Sequence, residues 1–249
     1  MHSKIFIFKT AILLFLVAGF TSLINACPAH AAMHTVTGTV SKVSDGDTVR
    51  VTTLAQTRLK VLLSEEGWKK GLKVIAEANG LNADRLIQTA ADTIYETGYI
   101  MGKVSEDDFW NALKRKTGIK DDNTSLMHEL MSRFVLNDLM IDLVKKLRLE
   151  KLTVGILSDQ TDWLDQLDAR FDFFKWFDHV FNSFHLGKGK RDITLFDDIA
   201  GILKTPPDRI LFIDDDPGNV GRARQKSWQA ILYVDFKSFH SEMDKLLKI

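Results

Sequence analysis

The feature that most limits what this chain can fold into is a series of short apolar runs alternating with amphipathic stretches after residue 150. Leu152-Thr153-Val154-Gly155-Ile156-Leu157 and Arg209-Ile210-Leu211-Phe212-Ile213 are nearly continuous in apolar residues, and Ala230-Ile231-Leu232-Tyr233-Val234 makes a third run. Such runs are expected of parallel strands covered on both faces, which lack the in-and-out alternation of half-exposed strands. His179-Val180-Phe181 reads as a further short strand. Helical patterns through Trp163, Leu164 and Leu167, from Leu195 to Leu203, and from Val220 to Lys226 lie between the strands. Strand-helix alternation of this kind predicts an α/β domain with a parallel sheet.

Ligands of such sheets gather beyond the carboxyl ends of the strands. The polar residues that follow each strand are therefore the candidates: Ser158 and Asp159, then Lys188 and Lys190, then Asp214, Asp215 and Asp216. A hydroxyl, an ammonium and a carboxylate cluster at one sheet edge suit a phosphate held with a hard cation. Carboxylate oxygens fit Mg²⁺, which keeps several waters and takes phosphate oxygens as well. The lysine would offset charge that builds on phosphoryl oxygens. Each residue also has a plainer use. Ser158 can cap the following helix, the lysines can form a solvated basic loop, and three aspartates can make an exposed turn at a helix start.

Ahead of this region the apolar period is helical. Trp68, Leu72, Ile75 and Ala76 recur at three- and four-residue spacing, as do Leu86, Ala90, Ile94 and Tyr95. Ser105 with Asp108 is a near capping box before Phe109, Trp110 and Leu113. A further helical stretch from about Ser125 to Leu147 offers Leu126, Leu130, Phe134, Leu139, Leu143 and Leu147 as core contacts. Phe109, Trp110 and Phe134 are expected to pack rather than to bind a ligand.

Composition removes other classes. The 249 residues are 45% hydrophobic and 27% charged, values of an ordinary globular chain. Thirty-three basic and 33 acidic side chains cancel, so no global field favours nucleic acid, and none is expected as a partner. A single cysteine, Cys27, excludes an intramolecular disulfide.

Residues 1–32 read as an export signal. Lys4 and Lys9 precede the apolar run Ala11–Phe20, and Ala29-His30-Ala31 supplies a small-residue cleavage pattern. The run is shorter than the ~20 apolar residues of a settled membrane helix. Export to the periplasm or outside follows, with membrane contact only through this signal. Uncleaved anchoring, or lipidation at Cys27 in Ile24-Asn25-Ala26-Cys27, are the alternatives.

From residue 33 to 62 the pattern is a short β segment. Gly38-Thr39-Val40-Ser41-Lys42-Val43-Ser44-Asp45-Gly46-Asp47-Thr48-Val49 with Arg58-Leu59 resembles the opening of a thermonuclease-type OB-fold domain. The resemblance implies calcium at Asp47 and phosphate stabilisation by Arg58. The rest of that barrel is missing, and an open barrel fragment leaves unpaired edges, so an exported nuclease is the lesser alternative.

Leu157-Ser158-Asp159, Gly187-Lys188-Gly189-Lys190-Arg191-Asp192 and Phe212-Ile213-Asp214-Asp215-Asp216-Pro217-Gly218-Asn219 resemble the second, third and fourth motifs of the haloacid dehalogenase (HAD) superfamily of hydrolases. The resemblance covers residues 63–249. It implies a HAD-like Rossmannoid parallel sheet over about 150–249, with a helical cap inserted at about 64–148. It also implies an Mg²⁺-dependent hydrolase, phosphatase-type, acting on a small phosphorylated substrate. Ser158 would hydrogen-bond the phosphoryl group together with Asp159, Lys190 would steady it, and Asp214 and Asp215 would place Mg²⁺. Asp159 stands where asparagine is common and Arg191 replaces a proline, which leaves the motif lysine open between Lys190 and Lys188.

The family's nucleophile is an aspartate in the pattern DxDx[TV] at the end of an apolar strand, and it forms an aspartyl phosphate. No such strand stands directly before the helical block. Asp45-Gly46-Asp47-Thr48-Val49 fits the letters, with Asp45 as nucleophile and Asp47 as acid and base, but on an alternating strand. Without a nucleophile the chain becomes a non-catalytic phospholigand or partner-binding module.

Overall fold

A computed structural model describes Ile12–Phe15 and residues 65–247. The first strand, β1, is Ile12–Phe15. Five helices follow: α1 Glu65–Ala78, α2 Ala83–Thr97, α3 Glu106–Thr117, α4 Asn123–Ser132 and α5 Asp138–Leu149. Then strands and helices alternate, as β2 Thr153–Ser158, α6 Trp163–Phe171, β3 His179–Asn182, α7 Ser183–Leu186 and α8 Thr194–Leu203. The chain closes with β4 Ile210–Asp214, α9 Pro217–Gln225, β5 Gln229–Leu232 and α10 Phe236–Leu247. Among the described residues no helix is long and apolar enough to cross a membrane.

The sheet has five parallel strands in the order β3-β2-β1-β4-β5. Its strands alternate between two packed faces, the period-2 consequence of the pleat. Along β4, Leu211 and Ile213 join one hydrophobic cluster with α5, α6 and α10, while Ile210 and Phe212 join a second with α8 and Trp228. Both sets are buried, which is why the strand reads as a continuous apolar run.

The middle position belongs to β1. Ile12–Phe15 pairs with Thr153–Ile156 on one side and with Ile210–Ile213 on the other. This segment lies inside residues 1–32, the stretch whose sequence predicts an export signal. The apolar core of an export signal and a buried parallel strand share one composition, so the same run carries both readings in the sequence. The core strand missing from the sequence directly before the helical block is therefore present, far upstream of it. The thermonuclease-like segment, Asp45, Asp47, Arg58 and Cys27 lie outside the described residues. The slots on both sides of β4 are held by β1 and β5.

The helical block packs as a cap. Ser105 and Asp108 form the expected capping box at the start of α3, with Asp108 N–H donating to Ser105 Oγ at 3.2 Å and Ser105 N–H to Asp108 Oδ2 at 3.1 Å. Helices α1 and α4 approach closely at Gly71, where a β-carbon would come within 2.8 Å of Leu130 Cα. The stretch expected as one helix from Ser125 to Leu147 is two. It breaks after Ser132, and Asn137 starts α5 by accepting from Met140 N–H at 3.3 Å. The restart turns Leu139 outward, at 55% exposure, and buries Met140, Ile141 and Val144 instead.

Cap and core share one apolar cluster. The cap rings of Tyr99, Phe109 and Trp110 surround Trp163 at the start of α6, with centroids 5.7, 5.7 and 6.0 Å away. Aromatic groups at such separations favour tilted and edge-on contacts. The Tyr99 hydroxyl donates to Asp162, and burial pushes that phenol well above the ordinary range.

Candidate phosphoryl site at the carboxyl edge of the sheet

The residues singled out after the strands converge at one sheet edge. Strand β2 ends on Ser158, which is fully buried and lies in register with Asn182 of β3. Asp159 follows, also buried, and its Oδ1 accepts the backbone N–H of Lys190 at 2.9 Å. That bond ties the loop after β3 to the end of β2. The approach is close, since a β-carbon on Gly189 would meet Asp159 Oδ1 at 3.2 Å.

Lys190 is the interior lysine. Its Nζ stands 3.3 Å from Asp214 Oδ2, and both side chains have no exposed surface. Lys188 instead donates to Thr194 Oγ1 at 2.6 Å and Asp198 Oδ2 at 2.5 Å, holding the loop to α8 at the surface. The choice that the sequence leaves open between the two lysines is thus made by burial and partner. Charged groups are almost never fully buried unless paired.

Asp214 is the most enclosed carboxylate of the site. Its Oδ2 accepts from Asn219 Nδ2 at 2.9 Å as well as from Lys190, and its Oδ1 accepts the Asp216 N–H at 2.8 Å. Burial pushes its pKa up to about 6, with the Lys190 ammonium pulling the other way. Asp216, the third of the run, caps α9 by accepting from Asn219 N–H at 2.8 Å. Asp215 is half-buried.

Of the two Asp214 oxygens, Oδ2 is the poorer ligand for Mg²⁺ as the site is arranged. Asp214 is already neutralised by Lys190 and hydrogen-bonded through both oxygens. A cation on Oδ2 would have to displace an ammonium or an amide, whereas Oδ1, which accepts one N–H, keeps a lone pair that a hard ion can use. Among the described residues no group of three or more His, Cys, Asp or Glu side chains is placed to hold a metal.

Ser183, directly after β3, is a further polar residue at this edge. Its hydroxyl accepts the Gln160 N–H at 3.1 Å and donates to Ile100 O in the cap at 2.7 Å, joining cap, β2 and β3. Its position directly after the short strand was the available signal. Tyr95, a member of the apolar repeat of α2, and Arg191, which follows Lys190, also meet at this edge. The Arg191 guanidinium lies 4.2 Å from the centre of the Tyr95 ring, a cation–π distance. Nothing in the spacing of those two residues, which lie in different elements, announces the contact.

A parallel sheet with a carboxyl-edge Ser-Lys-Asp cluster under a helical cap is the HAD-like Rossmannoid fold, and solved structures agree. A protein described as a predicted HAD-like family hydrolase from Porphyromonas gingivalis superposes with a TM-score of 0.62 at 21% identity, over 76% of this chain and 93% of its own. A HAD family enzyme from Bacteroides thetaiotaomicron, in complex with magnesium and inorganic phosphate, gives 0.59 at 18% identity, over 73% and 94%. Among curated proteins, the drimenol cyclase DrtB of Aspergillus calidoustus is 25% identical over 146 residues. That match takes 54% of this chain and 26% of the cyclase, so this chain spans about a quarter of that relative's length. No family model matches the sequence.

Proposed function

We propose that this protein binds a small phosphorylated ligand at the carboxyl edge of its sheet and does not turn it over through an aspartyl intermediate. The observation that carries the reading is the placement of β1. Phe15 pairs with Ile156 and Ile213, one residue before Asp214 and two before Ser158. The sequence continues from Phe15 as Leu16-Val17-Ala18-Gly19, which brings no nucleophilic side chain. The central strand therefore supplies its pairing to the sheet but no carboxylate to attack phosphorus.

What remains suits an anion. The Ser158 hydroxyl is a donor, and Lys190 is a cation that an entering phosphate can share with Asp214. Ion pairs and hydrogen bonds to phosphate are strong where water is excluded. The phosphate complex of the Bacteroides enzyme supports the ligand class. A bound divalent cation would add charge neutralisation at the phosphoryl oxygens, and Asp214 and Asp215 are the residues that would hold it.

The test is a thermal shift with inorganic phosphate, with and without Mg²⁺, beside a turnover assay on an aryl phosphate. Binding to the native state raises the melting temperature without turnover. We expect a shift with phosphate, its loss in Lys190→Met, and no turnover. Turnover that disappears in Asp45→Asn would restore the displaced-nucleophile reading. Absence of any phosphate shift would sink ligand binding.

A further inference from the structure

One side chain at the carboxyl edge touches the buried cluster without belonging to it. Arg222 follows Asn219 by three residues on α9, a spacing that puts both on one face of the helix. Helical side chains lean toward the N-terminus, which carries this guanidinium back over the first turn. There Nη2 donates to Asn219 Oδ1 and lies 3.8 Å from Asp216 Oδ1. The turn leaves little room, since a β-carbon on Gly218 would come within 2.9 Å of Asp216 Oδ1 and 3.3 Å of Arg222 Nη1.

This is an unfavourable place for a cation. The first turn of a helix presents unpaired N–H groups and the positive end of its dipole. Arg222 Nε is also buried with no acceptor among the described residues, and an unmet buried donor is destabilising. What the placement fixes is the direction of one amide. A guanidinium can only donate, so the atom of Asn219 that meets it is the oxygen. Nδ2 is left to face Asp214 Oδ2, which it reaches at 2.9 Å.

The same carboxylate oxygen takes Lys190 Nζ at 3.3 Å, the longer of these two contacts. While the Asn219 amide occupies Oδ2, the ammonium shares that acceptor and stays open to a second anion. With the amide released, Lys190 would have the oxygen to itself and would close on it.

We infer that Arg222 is a positioning residue of the phosphoryl site, which through Asn219 keeps the Lys190 ammonium available to phosphate. The inference rests on the phosphoryl site proposed above and requires no contact between Arg222 and the ligand.

The experiment is a double-mutant cycle on the full chain, read by calorimetric titration with inorganic phosphate. Arg222→Met should weaken binding about tenfold, the worth of one hydrogen bond. Arg222→Lys, which keeps a donor and the charge, should recover part of that loss. In an Asn219→Ala background the Arg222→Met change should alter affinity less than about twofold, because residues that act through one another are not additive. A loss that persists undiminished in that background shows Arg222 acting by its charge alone and overturns the inference, as does an unchanged affinity in Arg222→Met. Nuclear magnetic resonance of the isotope-labelled parent chain needs no variant to bind. The Asn219 side-chain amide, assigned by its absence in Asn219→Ala, should show one proton protected from exchange with water, and Arg222→Met should remove the protection. An unprotected amide in the parent overturns the inference while phosphate binding stands. A parent chain that binds no phosphate overturns the phosphoryl site, and this inference with it.

Discussion

Strands β1 and β4 lie side by side at the middle of the sheet, with matching parallel registers and equally apolar sequences, yet they bring opposite things to its carboxyl edge. Strand β4 ends in Asp214, a buried carboxylate held by Lys190, Asn219 and a backbone N–H. Strand β1 runs into Leu16-Val17-Ala18. Backbone pairing is indifferent to which side chain stands at a strand's end, so the fold constrains the strand and leaves the residue after it open. Architecture and chemistry are separable along one short segment.

The largest effect should come from removing the strand. A chain lacking residues 1–32 leaves β3-β2 and β4-β5 as two-stranded pieces with bare inner edges, and two-stranded pieces are marginal at best in water. We expect no cooperative unfolding transition by circular dichroism. Mass spectrometry of the folded native protein should correspondingly show residues 1–32 retained. A truncated chain that melts cooperatively would remove β1 from the comparison.

Giving β1 what β4 has is the converse test. Leu16→Asp with Ala18→Asp returns carboxylates after Phe15, and hydrolysis of an aryl phosphate should rise above the level of the parent chain when Mg²⁺ is supplied. The rise should vanish on adding Lys190→Met. A restored chain as inert as the parent would mean that more than the carboxylates has been lost.

The buried pair of β4 is next. Lys190→Met leaves Asp214 without its cation in a closed site, and breaking such a pair costs about 3–5 kcal/mol. Urea unfolding should show that loss, and Lys190→Met with Asp214→Leu should recover most of it, because neither charge is then stranded. An unchanged midpoint in the single variant would show that the pair is solvated.

The smallest effect is at the cap. The Tyr95 phenol is raised from 10.0 to about 12, so the folded state favours its neutral form. Its contribution is intact below pH ~10, the unfolded value, and is lost as pH rises through about 12. Stability should fall across that window, and Tyr95→Phe should remove part of the fall, the rest coming from Tyr99, whose phenol is raised further. Tyrosinate absorbance gives the titration directly.

Much of this was legible in the chain. Apolar continuity locates β2, β4 and β5, and the rule that ligands lie beyond carboxyl ends points to Ser158, Asp159, Lys188, Lys190 and Asp214 to Asp216 as a set. The α4–α5 break was not legible, because Leu139 fits a continuous helical stripe until Asn137 restarts the helix and turns it outward. The Tyr95–Arg191 contact was not legible either, since it joins residues 96 positions apart that share no pattern.

By itself the sequence determined the α/β class, the helical block ahead of it and the set of candidates at the carboxyl edge, because these follow from local periodicity and from what stands immediately after each strand. Only the tertiary structure decided that Ile12–Phe15 is the middle strand, that Lys190 rather than Lys188 meets Asp214, and that Asp214 Oδ2 is taken by Lys190 and Asn219. The reason is common to all three. An apolar run, a lysine or an aspartate takes its role from partners distant in the chain, and local composition carries no record of which partner it meets.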